Sequence, residues 1–383
     1  MGSLRYRARR RVKVILACNF PRDDRLGSAR TPIRLEPELR ALGVDVRGIY
    51  AEDLPTGSGA RGAALSAPFR LASLLRRLAP DADVVDVAGG DGFAYFAYAR
   101  LARPRQALVA RSNGLWDLAL AGEGPRERGA LRSRVSELYQ KHVICRWERR
   151  SIRTADVAVF LSRWDANEVV RRGWRTAEGV AAVNPGVDPF FAPAVRAGER
   201  RDVAFVGTFF HRKGRDVVVS VMSRLLAERP SLGLTLCGVG MPAEQAASFF
   251  DPAVRSRVTI FESLAPDALG RKLGEFAVFL FPTRYEGFGI VTLEAMRAGV
   301  AVVTTPTGAG ADVVNDGVNG LLVPIGDADA TYGAVRRLLD DAPLRERLGA
   351  QGTADAERVT WPRAARELLD IYERACASRR RKR

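Results

Sequence analysis

Short aliphatic and β-branched runs alternate along the chain with stretches whose apolar residues recur every three to four positions. The first kind predicts buried strands and the second amphipathic helices. In the first half the predicted strands are Val12–Ala17, Val44–Ile49, Val84–Ala88, Ala107–Ala110, Val157–Leu161 and Val180–Val183, with helical patterns such as Ala29–Leu42 and Phe69–Leu78 between them. A long basic helix is predicted over Leu131–Arg153, where Leu131, Val135, Leu138, His142 and Cys145 share one face, so His142 reads as a packing residue. The segment Asn184–Arg201 holds three prolines and then a charged stretch, and reads as a linker. Beyond it the alternation restarts, with strands Val203–Val206, Leu232–Cys237, Val258–Phe261, Val278–Phe281 and Ala301–Thr304. Helices are predicted over Asp216–Ala227, Ile290–Ala298, Ala328–Asp340, Leu344–Gly349 and Ala364–Ser378. Strand–helix alternation of this kind implies parallel strands with crossover helices: an α/β chain of two doubly wound domains joined near residue 195.

Composition narrows the classes. A chain of 383 residues with 47% hydrophobic and 27% charged positions is long enough for two or three globular domains. No run approaches the roughly 18 apolar residues of a membrane-spanning helix. Basic residues at the start followed by Val12–Cys18 mimic a secretion signal, but the apolar run is short and Asn19, Pro21 and charges follow it. The four cysteines form no Cys-x-x-Cys pair, and His142 and His211 are the only histidines, so neither a metal nor another cofactor is expected. That usage fits a reducing cytoplasm.

Charge changes the picture at the ends. Of the formal +16, eleven charges lie in residues 1–20 and in Arg379–Arg383. Seven more basic residues stand between Arg132 and Arg153, against Glu137 and Glu148. Such a first half can hold the protein peripherally against the anionic inner face of a membrane, and a soluble enzyme with a charged helix is the equal alternative. Charge alone also suggests a nucleic-acid binder, but basic ends give only nonspecific, salt-sensitive affinity and no zinc finger or RNA-recognition signature appears, so no specific nucleic acid is expected.

Two segments carry chemistry. In residues 282–299 a strand runs into Glu286-Gly287-Phe288-Gly289 and then a helix starting at Ile290, whose first amides favour an anion. Glu286 and Glu294 flank that turn, and an ionised carboxylate suits a vicinal diol. In residues 203–216 a strand ends at Gly207, Thr208 follows, and the loop offers Arg212 and Lys213, one of only five lysines in the chain. A cation there neutralises charge building on a diphosphate leaving group.

These segments, with Asn184-Pro185-Gly186-Val187-Asp188, Leu236-x-Gly238-x-Gly240, Glu294-Ala295-Met296 and Asp316-Gly317-x-Asn319-Gly320, resemble glycosyltransferase family 4, a retaining group of GT-B architecture. The resemblance implies two Rossmann-like domains facing a central cleft: residues 1–195 for the acceptor, 196–363 for a nucleotide-diphosphate sugar, and 364–383 as a last helix crossing back, plus the basic tail. It implies Glu286 on donor-sugar hydroxyls, Gly287, Phe288, Gly289 and Ile290 against sugar and phosphate, Glu294 on the ribose diol, and Lys213 on the diphosphate. Transfer would be metal-independent, to a hydroxyl of a glycan or lipid-linked acceptor. Gly27 and Ser28, before the first helix, match a loop that approaches acceptor or diphosphate.

There are departures. Thr208 stands where the family often has Arg, so either Arg212 supplies that charge or the donor phosphate is held with one cation fewer. Asn113 stands where a His often meets the sugar, and Asn cannot titrate near neutrality. Asp312 replaces a frequent Glu, and Phe261-Glu262-Ser263 lacks a glycine common before the base-binding loop. Thr208 and Asn113 keep open a catalytically silent protein of the same architecture that binds nucleotide-sugar or regulates a partner.

Overall fold

The structure, a computed structural model, describes residues 11–24, 26–55, 60–102, 105–123, 139–193 and 201–381, with the backbone alone for 60–65. Leu131, Val135, Leu138, Arg132, Arg134, Glu137, Arg25, the basic residues before Arg11, and Lys382 and Arg383 fall outside these. Residues 194–200, next to the expected junction, do so too.

Twelve strands form two sheets among the described residues. The first comprises β1 (Lys13–Ala17), β2 (Asp45–Ile49), β3 (Val84–Ala88), β4 (Ala107–Ser112), β5 (Val157–Phe160) and β6 (Val180–Ala182), in the order β2-β1-β3-β4-β5-β6. The second comprises β7 (Val203–Val206), β8 (Leu234–Cys237), β9 (Val258–Phe261), β10 (Val278–Phe281), β11 (Ala301–Thr304) and β12 (Leu321–Leu322), in the order β12-β11-β10-β7-β8-β9. Pairing is parallel among β1 to β4 and throughout the second sheet. Strands covered on both faces read as unbroken apolar runs, and β7, β8, β10 and β11 are buried at every position. In both sheets the chain order reverses beside a central strand, as in doubly wound α/β folds, where ligands gather outside the carboxyl ends of the strands.

Packing divides the chain into two compact units: Met1–Arg111 with Trp147–Val159 and Ala365–Arg383, and Ser112–Arg146 with Phe160–Ala364. The core of the second is rich in phenylalanine, with the Phe205 ring 5.4 Å from Phe209 and 5.9 Å from Phe281. In the first unit the final helix, Trp361–Arg381, brings Tyr372 to the sheet, where its hydroxyl donates to Asp86 at 2.6 Å. Arg111 Nε donates to the other oxygen of Asp86 at 3.1 Å, so a buried carboxylate is matched by a buried guanidinium and a phenol.

Four predicted helices need correction. Leu131–Arg153 is not one regular helix in its described part: Gln140–Ile144 winds as a wide π-helical turn before the helix Cys145–Thr154. That extra width shifts the phase of the apolar stripe, leaving His142 exposed and burying Glu148, Ser151 and Ile152. The helix expected over Phe69–Leu78 starts at Ala60, and that expected over Leu344–Gly349 runs from Ala342 to Ala356. The final helix begins at Trp361, because Pro362 falls in the first turn, where a missing N–H costs nothing.

The loop after β3, Gly89–Gly92, holds Asp91, whose carboxylate accepts the Asn19 N–H at 3.1 Å. Burial pushes its pKa up to about 6, against the lowering effect of that hydrogen bond. The folded chain therefore holds this proton more tightly than the unfolded one, so folding loses stability as pH rises from about 4 to about 6. Asp91→Asn keeps an acceptor for Asn19 and removes the charge. It should stabilise the protein at pH 7 by about 1–2 kcal/mol and flatten that part of the pH profile in urea unfolding; an unchanged or lowered midpoint would contradict it.

Candidate active site

The site is built at the carboxyl edge of the second sheet, where β7 and β10 lie side by side. β7 ends at Gly207, whose φ of +130° turns the chain away from the sheet. A single turn, His211–Lys213, follows, closed by Gly214 at φ +81°. A β-carbon on Gly214 would overlap the Pro282 carbonyl oxygen, so glycine lets this turn lie directly on the segment leaving β10. The Arg284 N–H donates to the Arg212 carbonyl at 2.8 Å and locks the two loops together.

This contact brings Arg212, Lys213 and Glu286 together. Lys213 Nζ and Arg212 Nη1 both meet Glu286 Oε1, the latter at 3.1 Å. Arg212 Nη1 also donates to the Tyr285 carbonyl at 3.1 Å, and its Nε lies 3.4 Å from Glu123 Oε1. The side chains of Lys213, Glu286 and Arg212 are 14%, 12% and 21% exposed, so solvent screens these charges only in part. Beside them Arg284 forks onto Asp216 with two bonds of 2.7 Å. Burial would raise the Asp216 carboxyl, but those bonds hold it below the usual range.

The turn after Glu286 is equally constrained. A β-carbon on Gly287 would overlap the Asn113 carbonyl oxygen, and one on Gly114 would sit 3.1 Å from Gly287 Cα. Asn113 thus stands against the Glu286 turn. Gly289, at φ +77°, enters the helix Ile290–Arg297, whose first turn has no side-chain cap. Phe288 is buried, and its carbonyl accepts the Ala309 N–H at 2.5 Å under Gly308. Glu294 lies on the second turn of that helix and is buried, with none of the exposure of a surface glutamate. Thr208 follows Gly207 on the same edge and directs no charge into the site. Gly27 and Ser28 open the helix Gly27–Ala41 in the other compact unit; Gly27 is exposed, and a β-carbon there would meet nothing within 4 Å.

Sequence patterns did not single out Tyr285, Asp165 or Glu123. The buried Tyr285 hydroxyl donates to Asp165 at 2.9 Å and accepts the Leu115 N–H, tying the Asn113 loop to the residue preceding Glu286. Asp312, shorter than the expected Glu, accepts the Arg163 N–H and an Asn184 Nδ2–H, each at 2.7 Å. Asn184-Pro185-Gly186 serves packing: a β-carbon on Gly186 would overlap the Trp361 nitrogen.

Residues 200–341, which include the whole Arg212–Lys213–Glu286–Glu294 set, match the family model described as Glycosyl transferases group 1. Over 94% of its length the chain superposes on Anabaena HepE, solved in complex with UDP and glucose, covering 99% of that chain at TM-score 0.67 and 14% identity. Against sucrose-phosphate synthase from Thermosynechococcus elongatus the figures are 96%, 100%, 0.77 and 17%. The chain has the GT-B fold. It is also 27% identical over 245 residues to the D-inositol 3-phosphate glycosyltransferase of Corynebacterium diphtheriae, an alignment spanning 59% of this chain and 57% of that relative. The GT-B fold accounts for the two parallel sheets.

Tyr285→Phe deletes two hydrogen bonds at a buried point while keeping the ring. It should lower stability by about 2–3 kcal/mol, read as a reduced urea midpoint at unchanged slope; a shift below about 0.5 kcal/mol would show that the hydroxyl ties nothing down.

Proposed function

We propose that the chain is a retaining, metal-independent glycosyltransferase that moves a sugar from a nucleotide-diphosphate sugar to a hydroxyl of a glycan or lipid-linked acceptor. The convergence of Arg212, Lys213 and Glu286 at the carboxyl edge of the second sheet carries this reading. Two cations beside an uncapped helix start suit a diphosphate. A carboxylate at the same point suits sugar hydroxyls, and the buried Glu294 suits a ribose diol. The family match over residues 200–341 and the similarity to a D-inositol 3-phosphate glycosyltransferase support the same chemistry. In this reading residues 196–363 take the donor, 1–195 the acceptor, and 364–383 return to the first domain.

The glycosidic carbon exchanges its bond to the leaving phosphate oxygen for one to the acceptor oxygen on the same face. The departing phosphate oxygen takes the acceptor proton. Arg212 and Lys213 stabilise the charge that builds on the diphosphate, and Asn113 orients a sugar hydroxyl without changing its own charge. No protein base is needed.

Exposed Arg149 and Arg150 support contact of the first domain with an anionic membrane surface from the cytoplasmic side. Among the described residues, no helix is long and apolar enough to cross a membrane. Flotation with anionic liposomes at low salt should carry the protein upward; retention at the bottom rejects membrane docking.

Glu286→Ala and Lys213→Ala should each lower turnover about 100-fold or more, the scale of losing one preorganised electrostatic contact. The assay is release of nucleoside diphosphate across a panel of donors, selected beforehand by thermal shift. Near-normal rates in both variants would overturn these roles.

A further inference from the structure

We infer that Glu123 and Glu286 stand where diphosphate oxygens bind, and thereby make the site favour an intact nucleotide-sugar over the nucleoside diphosphate left after transfer. The inference rests on the donor-site reading above and adds a residue, Glu123, that no motif marks.

The pairing is one of balanced charge. Arg212 reaches Glu286 with Nη1 at 3.1 Å and Glu123 with Nε at 3.4 Å, while Lys213 holds the same Glu286 oxygen. Two cations thus face two carboxylates, and Glu123 itself is only 30% exposed. The arrangement is built, since Glu123 ends the helix Trp116–Gly122 and that end is fixed against the cationic turn. His211 Nδ1 lies 3.1 Å from the Gly122 carbonyl oxygen, and a β-carbon on Gly122 would come within 2.9 Å of Arg212 Cγ.

A diphosphate bound by Arg212 and Lys213 must displace these carboxylates or lie beside them, and like charges at such range repel. The cost depends on what the carboxylates find next. With a sugar attached, its hydroxyls donate to Glu286, and one displaced acid regains its hydrogen bonds. With the sugar gone, both acids face phosphate oxygens with no donor between them. The site therefore discriminates against its own product, and the carboxylates return to the cations as that product leaves. Specificity of this kind comes from a repulsive element built against the wrong ligand.

The experiment measures the Kd of UDP, GDP and ADP, of their glucose-bearing forms and of the matching nucleosides, by calorimetry on the full chain and on its Glu123→Gln and Glu286→Gln variants. The glucose-bearing form should bind the unmodified protein tighter than the bare diphosphate, and Glu286→Gln should narrow that gap. Each substitution keeps the shape and removes one charge. The nucleoside diphosphate that binds the unmodified protein should bind each variant three- to tenfold tighter, with the gain shrinking at about 0.5 M salt. The nucleoside Kd should not move. Diphosphate affinity that is unchanged or weaker in Glu123→Gln, with folding intact by circular dichroism, overturns the inference and leaves the donor-site reading standing. Failure of every nucleoside diphosphate to bind the unmodified protein at millimolar concentration overturns both.

Discussion

Backbone-to-backbone contact at three glycines sets this site. Gly214 lies on the Pro282 carbonyl, Gly308 on the Phe288 carbonyl and Gly287 on the Asn113 carbonyl, each at a range that leaves no room for a β-carbon. Such contacts have no rotamers to relax into, so the loops after β7, β10 and β11 are fixed relative to one another before any side chain is placed. Lys213 and Glu286 meet because the backbones carrying them are pressed together, and their charges then add to a geometry that already exists. The same rigidity is what electrostatic stabilisation of a leaving group requires, since donors already aimed need no reorganisation during the reaction.

Around that rigid edge the polar groups fall into two kinds. Asp86, Asp165 and Asp312 are matched by neutral or cationic donors and serve to hold elements in place. Arg212, Lys213, Glu286 and Glu123 are matched to one another instead, in a cluster that solvent still reaches. The first kind would lose stability if any partner left. In the proposed reading the second kind exchanges partners on binding: a diphosphate accepts from the two cations and sugar hydroxyls donate to Glu286, while Glu123 gains no such donor.

Much of the fold was legible because its strands are short, mainly apolar and bounded by breakers. β3, β7, β9, β10 and β11 match their predicted limits residue for residue, each a short run that is apolar apart from Asp86 in β3, Thr259 in β9 and Thr304 in β11, closed by glycine, proline or a polar residue. β12 escaped notice because two residues pairing on a sheet edge leave no periodic signal. The stripe through His142 misled because period counting assumes uniform winding, and a π-helical turn breaks that assumption without a proline or glycine to announce it. At the site, Lys213, Arg212, Glu286 and Glu294 could be read from local motifs. Tyr285, Asp165 and Glu123 could not, since Tyr285 bonds a residue 120 positions away and Arg212 bonds one 89 positions away. Only tertiary packing gives those side chains their partners.

The π-helical turn Gln140–Ile144 also bears on how this region tolerates changes in length. Such a turn is a regular helix carrying one surplus residue. Excising a residue there would restore ordinary winding and leave the helix on either side nearly in register, because five residues in the wide turn sweep about the same angle as four in an ordinary helix. Trp147, stacked 4.7 Å from Phe93 just beyond the turn, would keep its place on the helix face. The surplus residue is therefore absorbed where it stands, and the turn spares its flanks a change of register.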